Sequence, residues 1–184
     1  MARRKQKNRA QRRQAEQRRR RNLKWLVIGL AVAVMGGLIY MAIPKSPKPT
    51  MEPQFTKQGE LQFISRENGE VAQAIDIEVK RDPLERNTGM MWRRSMKENQ
   101  GMLFIMDQPE PQSFWMRNTY ISLDIIFVDE DFRILNIRAN AQPQTLESQT
   151  SIGDALYVVE VIGGFCEKNG IAAGDEIRFQ LEPR

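Results

Sequence analysis

The chain has no histidine at all and a single cysteine, Cys166. Without histidine, serine or cysteine hydrolysis by a triad and zinc chemistry built on imidazole are excluded in their common forms. One cysteine forbids an internal disulfide. Cys166 follows Gly163-Gly164-Phe165 between apolar runs, where a small buried hydrophobe is expected rather than a nucleophile. No glycine-rich phosphate loop of the Walker type occurs, nor a twelve-residue calcium loop. Asp129-Glu130-Asp131 is expected to be a solvated hairpin turn rather than a cation site. No cofactor and no metal site are implied, and there is no internal repeat.

Charge is absent from one stretch and one-sided in another. Residues 1–24 hold twelve Lys and Arg against one acid, Glu16, and residues 25–43 carry no charge. Nineteen apolar residues at helical rise are about 28 Å long, close to the hydrocarbon thickness of a bilayer. The basic flank should stay cytoplasmic, leaving everything after Pro44 outside the inner or plasma membrane, periplasmic or extracellular. No small-x-small cleavage site follows Tyr40, so an uncleaved signal-anchor with a single pass is expected. Residues 25–184 carry sixteen basic and twenty-two acidic side chains, a net of −6. Nucleic-acid binding by the folded part is therefore not expected.

The expected organisation is a basic cytoplasmic tail (1–24), a transmembrane helix (25–43), a Pro-rich spacer (44–56) and a β-rich domain (57–184). Four prolines in the ten residues from Pro44 to Pro53 make the spacer extended. Within the domain the period is mostly two. Val71, Gln73, Ile75, Ile77 and Val79 alternate with Ala72, Ala74, Asp76 and Glu78, and Asn68-Gly69 suggests a tight hairpin back to Leu61–Ile64. Asp82-Pro83-Leu84-Glu85 reads as a helix start with a capping box, the helix ending near Gly89 or running on to Arg93. Further strands are expected at 102–106, 113–117, 121–128, 132–138, 156–162 and 176–181. The fold class is mainly β (β-rich α+β): an antiparallel sandwich or barrel with one or two short helices.

The centre of the domain carries its most distinctive residues: Gly89-Met90-Met91-Trp92-Arg93, Gly101-Met102-Leu103-Phe104, Phe114-Trp115-Met116-Arg117-Asn118-Thr119 and Leu123-Asp124-Ile125-Ile126-Phe127. This succession resembles the domain of unknown function 192 family, DUF192, over about Val71 to Leu181, here in a membrane-anchored member. Met90 stands where leucine is usual and Ser122 where proline is usual. The first swap nearly conserves volume, and the second should loosen the start of the strand. The resemblance implies a compact β-rich domain, often exported or tethered, with no established activity.

Asp124 is the odd residue. Leu123, Ile125 and Phe127 share one strand face and Ile126 and Val128 the other, so Asp124 should be out of water and in need of partners. Two expectations stand side by side. Asp124 either accepts hydrogen bonds from backbone amides or an Arg as a structural clamp, or it joins Arg93, Arg117 and Asn118 at a pocket floored by Trp115 and Trp92. On the second, the chain binds a polar small ligand or glycan of the cell envelope. A carboxylate-based hydrolase acting on an envelope substrate, with Asp124 as candidate catalytic residue beside Glu85 or Glu160, is the main alternative, and an enzyme is the less expected outcome. A structural tether is a third. Met90, Met91, Met96, Met102, Met106 and Met116 also suggest thioether ligation of Cu(I), although adaptable core filler explains them more simply. Oligomeric state and partner proteins are not legible.

Overall fold

The computed structural model describes residues 52–183 and, before them, Met35 alone. The basic tail and the spanning helix expected at 25–43 thus lie outside the described residues, apart from Met35. Among the described residues no helix is long and apolar enough to cross a membrane.

Seven strands and two short helices follow in order: β1 (Gly59–Ile64), β2 (Val71–Lys80), α1 (Pro83–Thr88), β3 (Gln100–Phe114), β4 (Leu123–Val128), β5 (Ile134–Ala141), β6 (Gln149–Ile162), α2 (Phe165–Asn169) and β7 (Glu176–Leu181). They form one sheet in the order β5-β4-β6-β3-β2-β1-β7. The sheet curls into a half-barrel. Its two outer strands meet at one end, where Arg133 bridges Glu176 and the Ile134 amide donates to the Asp175 carbonyl at 2.8 Å.

Every pairing is antiparallel except β2 with β3. That one parallel pair in a mainly antiparallel sheet arises because residues 81–99 carry the chain back across the sheet before β3 begins, as a parallel neighbour requires. α1 is the local cause of that crossover. Asp82 caps it, accepting from the Leu84 amide at 2.8 Å, Pro83 occupies its first turn and Gly89 ends it at φ 44°. Among the described hydrogen bonds the Glu85 carboxylate closes no capping box. The helix stops at Thr88, the nearer of the two expected ends, where Gly89 takes that positive φ and a Cβ would lie 3.1 Å from the Phe104 ring.

Three other expectations shift. The β1–β2 connection is a six-residue loop, Ser65–Glu70, in which Gly69 and not Asn68 takes positive φ, so it is not the two-residue turn. The strand expected at 113–117 is the end of a longer β3, and the chain turns at Arg117-Asn118. A second short helix was allowed for, but its place at Phe165–Asn169 was not. The turn at 129–131 is as expected: the Asp129 carboxylate is spent on the backbone amides of Asp131 and Arg133, at 3.0 and 2.8 Å.

The curled sheet has a core on each side. Its inner face buries Leu61, Phe63, Ile77, Leu103, Ile126 and Val159, with Phe165 and Cys166 from α2 closing one end. Its outer face buries Met102, Phe104, Leu123, Ile125, Phe127 and Val158 under Met90 and Met116, which come from the connecting segments. β4, buried along its whole length, belongs to both cores.

Candidate functional site

Strand register places an unusual row on the outer face. Glu78 of β2 is opposite Met102 of β3, Met102 is opposite Glu160 of β6, and Glu160 is opposite Ile125 of β4. Two carboxyl groups thus sit in an apolar layer, Glu78 at 3% and Glu160 at 4% exposure. They are treated differently. Glu78 accepts from Arg93, which descends from the covering segment and is itself buried, and Lys80 Nζ lies 3.9 Å from the same oxygen. Glu160 has no such partner: its Oε2 is buried without a hydrogen bond. Burial pushes the Glu160 carboxyl up to about 8, against a smaller opposing pull from the Arg93 charge. At neutral pH Glu160 is therefore mostly protonated, able both to donate and to accept.

Glu160 lies in a cleft of about 190 Å³ bounded by α1, the residues after it and the end of β3. Met90, Met91 and Met106 contribute thioethers to its walls, Phe104 and Phe114 rings, and Trp115 its rim. Gln112 also lines it, and its side-chain Nε2 is buried and unpaired. Arg86 pins α1 to β3, donating to the Ile105 carbonyl at 3.1 Å and pairing with Asp107 at 2.7 Å. That fixes one wall. The other is held where the Trp92 amide donates to the Asn118 carbonyl at 2.8 Å and the Tyr120 amide to the Arg93 carbonyl at 3.3 Å.

The residues singled out from sequence fall into two places. Trp115, 49% exposed, stands on the cleft rim with the Arg117 guanidinium 5.4 Å from its ring centre. Asn118 is a turn residue at φ 57°, a conformation asparagine tolerates, and its Nδ2 lies 3.9 Å from the Met91 sulfur. Arg93 sits behind the cleft on Glu78. Trp92 packs against Tyr120, ring centres 6.3 Å apart, and does not line the cleft.

Asp124 is elsewhere, on the inner face. It is fully buried, and Oδ1 accepts from the Asn140 and Gly164 amides at 2.8 and 3.0 Å, Oδ2 from the Cys166 amide at 2.9 Å. Gly164 at the start of α2 has no side chain to cap it, and Asp124 supplies the cap from across the fold. Burial, and then the Asp124 charge, push the adjacent Cys166 thiol far up, so it is not a nucleophile. Ser122, in the place of the usual proline, donates to the Ala141 carbonyl at 3.2 Å and so ties the start of β4 to the end of β5.

Glu78 and Gln112 were missed as candidates, and Glu160 was named only as a possible partner carboxylate. The signal for Glu160 was present: an acid inside Val158-Val159-Glu160-Val161 is as anomalous as Asp124 in its strand. Among the described residues no group of three or more Cys, Asp or Glu is placed to hold a metal. Of the methionines, Met90, Met102 and Met116 are core, and Met96 and Met106 pack against it.

These features define a β-rich half-barrel domain with a small outer-face cleft over a neutral buried carboxyl. The chain belongs to the DUF192 family, described as an uncharacterized ACR, which it matches over residues 63–179. Two solved structures are similar to it. One is a protein from Sinorhizobium meliloti 1021 described as a candidate transcription regulator, 30% identical, with a TM-score of 0.65 over 69% of this chain and 98% of that one. The other is a protein of unknown function from Novosphingobium aromaticivorans DSM 12444, 32% identical, with a TM-score of 0.63 over 72% of this chain and 94% of that one. No curated protein matches.

Proposed function

We propose that this chain is a membrane-tethered binding module whose outer-face cleft takes a small polyhydroxylated ligand, a glycan unit of the cell envelope. The observation that carries this is the pair of buried, unpaired polar atoms in one cleft, Glu160 Oε2 and Gln112 Nε2, beside the half-exposed Trp115. Buried polar groups are otherwise paired in native folds, so a partner from outside is the economical account. A sugar hydroxyl both donates and accepts, which suits a protonated carboxyl and an amide at once. The apolar face of a sugar ring suits an indole. The basic tail and the uncharged stretch at 25–43 support the tether and an extracytoplasmic place for the domain.

The hydrolase alternative has less support. Glycan cleavage by paired carboxylates needs both groups about 5 to 10 Å apart around one bond. Asp124 and Glu160 face opposite sides of the sheet, and Glu85 lies exposed on α1. Cu(I) ligation has one observation in its favour, the thioethers of Met90, Met91 and Met106 on the cleft walls.

The test is titration of the intact chain with N-acetylglucosamine and glucose, followed by tryptophan fluorescence and calorimetry, with Cu(I) in parallel. The expected result is saturable sugar binding that Trp115→Ala weakens about tenfold or more. Binding weaker than about 10 mM for every sugar, in a protein that binds Cu(I) tightly, transfers the cleft to the metal.

A further inference from the structure

The residues through which the domain joins everything N-terminal to it are fastened to the back of this cleft. The Glu52 carboxylate accepts from the Arg94 and Ser95 amides at 2.7 and 3.2 Å. Four residues on, the Thr56 amide donates to Glu78 Oε1 at 2.7 Å, and Gln58 exchanges bonds with β2 through the Val79 amide and the Ile77 carbonyl. Both fastenings bear on one ion pair. Arg94 and Ser95 directly follow Arg93, and Glu78 is the carboxylate that Arg93 holds.

That ion pair has a second way to form. Glu78 and Glu160 flank Met102 in one register row, and the Arg93 charge that pairs with Glu78 also acts on the Glu160 carboxyl. Arg93 commits Nη2 to Glu78 and leaves Nε buried without a partner, as Glu160 leaves Oε2. Two acids around one shared guanidinium make a two-state element. What holds it in its present state is the Thr56 amide on Glu78, the Glu52 grip on the segment carrying Arg93, and the Lys80 ammonium near Glu78.

We infer that residues 52–56 form a latch that decides which carboxyl Arg93 serves, and through it whether the floor of the cleft is neutral or charged. Seated, the latch keeps Arg93 on Glu78 and leaves Glu160 protonated, with a hydrogen to donate. Released, it frees the segment at 93–95 and withdraws a donor from Glu78. Arg93 then moves to Glu160, which gives up its proton while Glu78, left without guanidinium and amide, takes one up, and the cleft loses both the donor and the space the guanidinium takes. This rests on the cleft being the ligand site. It adds that displacement of the chain just before the domain is felt by the ligand, since a bound sugar favours the seated state and must in turn hold the latch down.

The experiment uses the intact chain with ¹³C-labelled glutamate side chains, in wild type and in the variants Glu52→Ala and Thr56→Pro. Both changes lie outside the cleft. Glu52 grips through one oxygen that a glutamine would keep, so Glu52→Ala is the change that removes the grip, and it stands should Thr56→Pro disturb folding. The Glu160 carboxyl is expected to titrate near 8 in wild type. It should titrate at least about one pH unit lower in each variant as Arg93 arrives, with sugar affinity at pH 7 falling about fivefold or more. A Glu160 midpoint unchanged in both folded variants overturns the latch, and so does a wild-type midpoint in the ordinary carboxyl range. Absence of sugar binding in wild type overturns the ligand assignment instead, while the titrations still judge the latch.

Discussion

Replacing Asp124 by asparagine tests the inner face most sharply, because the change keeps size and shape and removes one acceptor. Three amides converge on the carboxylate at 2.8 to 3.0 Å, two on Oδ1 and one on Oδ2. An asparagine has only one oxygen. In its better orientation that oxygen keeps the Asn140 and Gly164 amides and points its own NH₂ at the Cys166 amide, donor against donor in a fully buried site. A hydrogen bond to a charged group contributes about 1.5 to 3 kcal/mol, and a stranded buried donor costs a further 1 to 3. The weakened pair on Oδ1 adds to this, so the loss should be about 3 kcal/mol. α2 bears the damage, since its first turn has no other cap. Urea unfolding of the intact chain, followed by tryptophan fluorescence, should move its midpoint down by about 2 M at a slope of about 1.5 kcal/mol per molar. A loss under about 0.5 kcal/mol would refute the clamp and return Asp124 to the list of functional residues.

Glu160→Gln should flatten the dependence of stability on pH. The folded carboxyl titrates near 8 and the unfolded one near 4.5, so the folded state holds the extra proton between them. Stability contributed by that proton is present below about 4.5 and is lost as pH rises toward 8, with a slope of at most about 1.4 kcal/mol per pH unit. Glutamine removes the slope, so the variant should be the more stable at pH 8 and above in urea melts, and a wild-type profile without this slope would refute the protonated floor. Cys166 should resist a thiol reagent such as a disulfide dye in the folded chain and react fully in urea, because burial and the Asp124 charge both disfavour its thiolate. Rapid labelling of the native protein would contradict the packing of α2.

What could be seen in the sequence was local. The alternation through Ile75, Ile77 and Val79, the Asp82-Pro83 helix start and the two apolar faces of β4 are properties of neighbouring residues, and each element formed where they point. β3 hid its length behind Pro109 and Pro111. Its pairing with β2 ends at Phe104, and its register with β6 shifts between Ile105 and Glu110 and again past Pro111, so prolines sit where the ladder is already broken. α2 carries no cap of its own, because its cap comes from a residue forty positions away. The burial of Asp124 was legible from its strand, but not its partners, which are backbone amides without sequence signature. The cleft was illegible for a related reason. Glu160 meets Met102 only through a register that joins strands distant in sequence.

The place of β7 has a consequence for when the domain can exist. This last strand pairs along its whole length with β1, the first, while its start touches the chain between β4 and β5. A chain emerging N-terminus first can form the β1–β2 hairpin early, yet Leu61 and Phe63 keep an unpaired edge until Ile177 and Phe179 arrive. The slowest contacts to make are also the ones that shut the inner core. Removal of β7 should therefore abolish the fold and not trim it, and until β7 has emerged the chain must be kept from pairing with its neighbours.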